Sequence, residues 1–183
     1  TSQVQGASSG STTITLKGDF NVSSSSATAF RFQNSSSGSK TYVLNVGGSF
    51  NWTGSGTFTG GSSSSQATIN FTGGATAVNY IQSAGTITLT NTNIVIANTP
   101  AGKTVTLNNN IAIPTSRTLT VNGGIAFSSS TIVSGAGTFT LNSGGSLTTA
   151  NTAGITSSGA TGSVQTTTRT FNTGANYTFN ASS

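Results

Sequence analysis

The chain repeats one local pattern: an apolar residue, a polar one, an apolar one, then a polar corner. The clearest stretch is Thr86 to Leu147. Four Thr-apolar-Thr-apolar phrases occur there, starting at Thr86, Thr104, Thr118 and Thr138. Each is followed by a second short phrase: Ile94-Val95-Ile96, Ile111-Ala112-Ile113, Ile125-Ala126-Phe127 and Ser146-Leu147-Thr148. Alternation with period two describes strands buried on one face. Copies recurring about every 14–20 residues have the period of coils in a β-solenoid.

The same phrase is present upstream. Thr12 to Leu16 alternates, Lys17-Gly18 makes a corner, and Phe20-Asn21-Val22 follows. Ala29 to Phe32, Tyr42 to Val46, Phe50 to Trp52, Thr57 to Thr59, Thr68 to Phe71 and Val78 to Ile81 continue it. No stretch has a 3.6-residue period with caps, so helix is not expected. Pro100 and Pro114 fall at corners, where a missing N–H harms no ladder. Asn108 to Asn110 and Asn122-Gly123-Gly124 are read as equivalent corners after the first strand of a rung. Gly and Asn tolerate the left-handed backbone of a tight bend, and stacked Asn side chains can bond along the axis.

The predicted fold is all-β: a single-stranded parallel β-helix of roughly nine or ten rungs, about 40–50 Å long at about 4.8 Å per rung. One domain spans residues 1–183. Residues 1–11 form an incoming linker, 12–148 the main rungs, 149–168 a polar loop region and 169–183 the terminal strands. The alternative is a β-sandwich with antiparallel hairpins at the Gly-Gly turns and a strand donated from Thr148 to Ser183.

Composition narrows function more than fold. Of 183 residues, 4% are charged, and Asp19 is the single carboxylate side chain; there is no His, Cys or Met. Glycosidases need two carboxylates and Ser hydrolases need a base, so catalysis is not expected. Neither zinc ligands nor an anionic calcium cage can be assembled, and no cofactor is expected. No apolar run is long enough to insert in a membrane as a helix. Six scattered basic residues give a net charge of +5, without the basic patch that a nucleic-acid partner requires. Asp19 reads as a corner residue, with Lys17 as its partner. The near-absence of Lys and Glu fits an extracellular, cell-surface chain, and a secreted domain of this size does not need disulfides if its strands stack into a continuous core.

Two sets of residues are candidates for contact. Thr86, Thr88, Thr104, Thr106, Thr118, Thr120, Thr138 and Thr140 would stack into a flat grid of hydroxyls and methyls, resembling the ice-binding face of some antifreeze solenoids. Trp52, Tyr80 and Tyr177 are aromatic candidates for stacking on glycans. The plainer alternatives are that Thr is a soluble strand former and that Trp52 is core. Sequons at Asn21, Asn34, Asn51, Asn70, Asn176 and Asn180 are read as chance products of an Asn- and Thr-rich chain.

The Thr-x-Thr-Leu phrase with Asn-Gly corners, and the Arg169-to-Asn180 segment ending Tyr177-Thr178-Phe179-Asn180, resemble the large secreted surface proteins of Bacteroidota. In such chains the Tyr-Thr-Phe-Asn phrase is often followed by Gln-Val-x-Gly, which stands here as Gln3-Val4-Gln5-Gly6. The resemblance implies tandem solenoid repeats exported by the type IX system, an adhesive or structural role, and one permuted unit of a longer fibre. The expected partners are copies of the chain or adjoining repeats end to end, with surface glycans or ice as alternatives. A self-assembling strand-exchange filament and an ice- or carbohydrate-binding solenoid remain the other functional readings.

Overall fold

The computed structural model describes residues 11–25, 27, 29–32, 39–60, 66–72, 77–82, 86–89, 91–96 and 104–182. Among them there is no helix, and every strand pairing is parallel. Parallel neighbours with no intervening helix require a coil that returns to its own start one level up, which is a β-solenoid. The antiparallel sandwich is therefore not the architecture.

Two long sheets run the length of the stack. The first contains β1 (Thr12–Leu16), β4 (Thr41–Val46), β7 (Gln66–Phe71), β10 (Thr92–Ile96), β13 (Thr118–Val121), β15 (Val133–Leu141) and β17 (Val164–Phe171), in that spatial order. The second contains β2 (Phe20–Val22), β5 (Phe50–Trp52), β8 (Ala77–Gln82), β11 (Thr104–Leu107), β14 (Gly124–Phe127), β16 (Ser146–Thr149) and β18 (Asn176–Phe179). A third side is made by β3 (Phe30–Arg31), β6 (Thr57–Thr59) and β9 (Thr86–Thr88) in the early coils. In the later coils β12 (Ile111–Ala112) takes that side with the leading halves of β15 and β17.

The described residues thus build seven coils, not nine or ten. The step between stacked residues is 30 from Thr15 to Asn45, 25 from Asn45 to Asn70 and 20 from Asn122 to Asn142. Apart from the 20-residue step, the coils are longer than the sequence period suggests because the third side adds residues. Seven levels span about 29 Å at about 4.8 Å per step. Residues 164–168, expected in a loop, open β17.

The core is a column of inward side chains. Tyr42, Leu44, Val46, Phe50, Trp52, Ile69, Phe71, Val121, Phe139, Leu141 and Leu147 are all buried. Rings stack along the axis: Phe20 and Phe50 have centroids 5.0 Å apart, and Phe50 and Tyr80 lie 5.4 Å apart. Strict alternation fixes this register, since a slip of one residue would turn each apolar set outward.

Successive coils are tied together by side chains, from outward strand positions as well as from corners. Asn45 Nδ2 donates to Thr15 Oγ1 and Asn70 Nδ2 to Asn45 Oδ1, each at 3.1 Å. Asn51 donates to Asn21, Asn108 to Asn79 and Asn142 to Asn122, at 2.7, 3.1 and 2.7 Å. The left-handed backbone expected at Asn corners occurs at Asn91 (φ 56°) but not at Asn108 to Asn110 or Asn122. Those two corners are also not equivalent: one follows β11 on the second sheet, the other β13 on the first. Asp19 Oδ1 accepts the Ser49 N–H at 2.7 Å, so the lone carboxylate ties one corner to the next coil. Gly48 lets it do so. A Cβ there would lie 2.8 Å from the Gly18 carbonyl carbon and closer still to Asp19 Oδ1.

Candidate functional site

The Thr-x-Thr phrases look alike in sequence but lie on three different sides of the coil. Thr118 and Thr120 are on β13, in register with Thr138 and Thr140 on β15. Thr104 and Thr106 are on the second sheet, stacked against Gly124 and Ala126 on β14, which carry no hydroxyl. Thr86 and Thr88 are on β9 of the third side, level with Thr57 and Thr59. Their side chains, like Gln3 to Gly6, Asn34 and Pro100, lie outside the described residues. The eight threonines therefore do not make one grid. The phrase reports only a strand with one buried face, and any side of a coil can use it.

A smaller grid does exist, and it includes residues the sequence pattern missed. Thr138 pairs with Thr168 and Thr140 with Thr170. The result is two parallel columns, Thr118–Thr138–Thr168 and Thr120–Thr140–Thr170, over three coils. Hydroxyls recur about 4.8 Å apart along the axis and about 6.6 Å apart along each strand. Thr168 and Thr170 were obscured because Arg169 sits between them, where the pattern calls for an apolar residue. Below the grid the second column continues as Val95, Asn70, Asn45 and Thr15.

Two of the three aromatic candidates are core. Trp52 is 0% exposed and donates its Nε1–H to the Gly56 carbonyl at 3.3 Å. Tyr80 is 2% exposed, and burial holds its phenol well above the ordinary tyrosine range. Neither can stack on a glycan; each fills an inward position of its strand. Tyr177 is half-buried, its hydroxyl donating to the Asn172 carbonyl at 2.7 Å, and desolvation raises its pKa. Phe179, which was not singled out, is 59% exposed.

Arg169 occupies an inward position, in register with the buried Phe139. Its charge is met by the chain itself. Nε donates to the Thr166 carbonyl at 2.8 Å, and one terminal nitrogen donates to Thr156 O and Oγ1, each at 3.0 Å. The other donates to the Gly159 carbonyl. Partial desolvation lowers the Arg169 pKa. Gly154, in the same loop, lies against the Phe179 ring. The loop between β16 and β17 therefore runs from the end of the second sheet to the leading half of β17 on the third side. On the way it reaches up to the last coil, meeting Arg169 through Thr156 and Gly159 and Phe179 through Gly154.

Among the described residues, no group of three or more His, Cys, Asp or Glu could hold a metal ion. Among the same residues, no helix is long and apolar enough to cross a membrane. Comparison with protein-family models, with curated proteins and with solved structures gives no match.

Proposed function

We propose that this chain is a structural and adhesive module of a secreted cell-surface fibre, giving length, stiffness and a polar, weakly charged contact surface. The observation that carries the reading is the unbroken parallel stack, with a filled core and in-register Asn ladders from coil to coil. Such a body is a rod whose outer faces repeat, suited to weak contacts multiplied along its length. The single carboxylate and the lack of His and Cys support a non-catalytic role. The resemblance of its Thr-x-Thr-Leu and Tyr-Thr-Phe-Asn phrases to those of large secreted Bacteroidota surface proteins supports extracellular placement and tandem neighbours.

The test is retention of beads bearing one, two or four tandem copies, on polysaccharide surfaces and on beads bearing the same chain. The reading predicts weak retention for one copy and a gain of about 100-fold or more for four. Equal retention at all copy numbers, at the level of uncoated beads, would overturn it.

The threonine grid favours one second reading, a binder of ice or ordered carbohydrate through Thr118, Thr120, Thr138, Thr140, Thr168 and Thr170. Thermal hysteresis and glycan pull-down of the isolated chain test it. Activity that Thr120→Tyr and Thr140→Tyr abolish supports the grid; no activity, or activity unchanged in both variants, removes it.

A further inference from the structure

The two ends of the stack are complementary at the level of single backbone groups. In a strand, the N–H and C=O of one residue point to the same side and those of its neighbours to the other. At the last coil, Asn172 N donates back to Leu141 O at 3.1 Å and Asn180 N back to Thr149 O at 2.9 Å. By alternation, the backbone groups of Arg169, Phe171, Tyr177 and Phe179 turn away from the molecule. At the first coil, Leu16 O accepts from Gly47 N at 2.8 Å and Val22 O from Thr53 N at 2.9 Å. The backbone groups of Thr13, Thr15 and Asn21 therefore turn the opposite way.

The side chains at the two ends agree. Ile14, Leu16 and Val22 are inward residues that the first coil leaves only partly buried; Phe171, Ala175 and Tyr177 stand likewise at the last coil. Phe179 is the one exposed large hydrophobic among the described residues. Exposed edges are normally guarded by charge. Here β1, β2 and β18 carry no charged residue, and the one charge on β17, Arg169, is turned into the loop carbonyls.

We propose that the last coil docks the first coil of a second copy of this chain, head to tail, with Arg169 over Ile14, Phe171 over Leu16 and Phe179 over Phe20, each pair continuing a column of the stack. This register repeats the bond pattern inside the molecule: Thr15 N donates to Arg169 O as Asn172 N does to Leu141 O. It places Thr168 over Thr13 and Thr170 over Thr15, continuing both outer columns. Phe179, last in the column that begins Phe20, Phe50 and Tyr80, meets Phe20 of the next copy. The contact is heterologous and does not close on itself, so it produces filaments rather than dimers. It rests on the fibre-module reading and identifies the partner as the same chain.

The chain has no cysteine, so paired cysteines report the register directly. Thr170→Cys in one copy is mixed with Thr15→Cys in another, each full length, and oxidised. Stacked partners about 4.8 Å apart fall within disulfide range, whereas Thr13→Cys, two residues out of register, falls outside it. The proposal predicts cross-linked dimers for Thr170 with Thr15, at least 10-fold over Thr170 with Thr13. Sedimentation of the unmodified chain should show concentration-dependent filaments, which Phe179→Lys, at an exposed position, abolishes. Monomers at all concentrations, or equal cross-linking of both pairs, would overturn the proposal. Should docking fail while tandem copies still hold beads, the fibre-module reading stands; docking without retention at any copy number removes the adhesive role alone.

Discussion

The Asn ladders make a quantitative prediction, because neighbouring members have unequal duties. Asn45 stands in the middle of its ladder: it donates to Thr15 Oγ1 and accepts from Asn70 Nδ2, both at 3.1 Å. Asn70 stands at the end. The next residue up the column is Val95, which offers no donor, and the Asn70 Oδ1 atom is buried without a hydrogen-bond partner. A side-chain hydrogen bond contributes about 0.5–1.5 kcal/mol net, while a buried unpaired acceptor costs about 1–3 kcal/mol. Asn45→Ala removes two bonds and leaves Asn70 without its acceptor, a loss of about 2–4 kcal/mol. Asn70→Ala removes one bond but also the unpaired oxygen, so its net effect is about 1 kcal/mol or less in either direction. Urea unfolding of both variants and of the double variant measures the difference, at about 2–4 °C of Tm per kcal/mol in a parallel thermal series. A loss for Asn70→Ala equal to or greater than that for Asn45→Ala would refute the ladder account.

Further predictions follow from other contacts. Gly48→Ala should lower stability by about 1–3 kcal/mol by crowding Asp19 and the Gly18 backbone, read in the same urea titration. Arg169→Leu keeps inward bulk but strands carbonyls of Thr156, Gly159 and Thr166, so amide exchange in residues 154–163 should speed by about 10-fold or more without change in the earlier coils. With no His and one carboxylate, stability should vary little from about pH 5 to 9. Burial raises the Tyr80 pKa in the folded state, so its contribution is complete below the unfolded tyrosine value of about 10 and is lost as pH climbs beyond it. Alkaline phenolate absorbance should therefore show Tyr80 ionising together with unfolding; ionisation in the native state near pH 10 would contradict its burial.

The fold class was legible because the strands are buried on one face. Alternation at Thr12 to Leu16 or Thr118 to Val121 is imposed by a one-sided core, and any reader of period two finds it. Which side of the coil a strand occupies was not legible. Thr104-Val105-Thr106-Leu107 and Thr118-Leu119-Thr120-Val121 have the same pattern, because both simply turn apolar residues inward from different sheets. Coil length was underestimated for the same reason. The terminal strands within residues 169–183 were legible, but the start of β17 at Val164 was not, and the compensation of Arg169 comes from loop carbonyls that no local pattern encodes. The fate of the aromatics followed alternation: Trp52 shares its face with Phe50, and both are buried. The grid columns needed the register, which is a property of steps of 20 and 30 residues rather than of any short phrase.

The stack is tested most directly by distances along one column. Thr15, Asn45, Asn70, Val95, Thr120, Thr140 and Thr170 occupy successive coils. Spin labels on cysteines placed at Thr15, Val95 and Thr170, in pairs and diluted with unlabelled chain, are read by pulsed electron paramagnetic resonance. Seven parallel coils predict separations that rise by about 4.8 Å per coil, close to 14 Å for Thr15 to Val95 and about 29 Å for Thr15 to Thr170, before the reach of the labels is added. A Thr15-to-Thr170 distance no longer than that from Thr15 to Val95, or one well beyond 40 Å, would contradict the seven-coil solenoid.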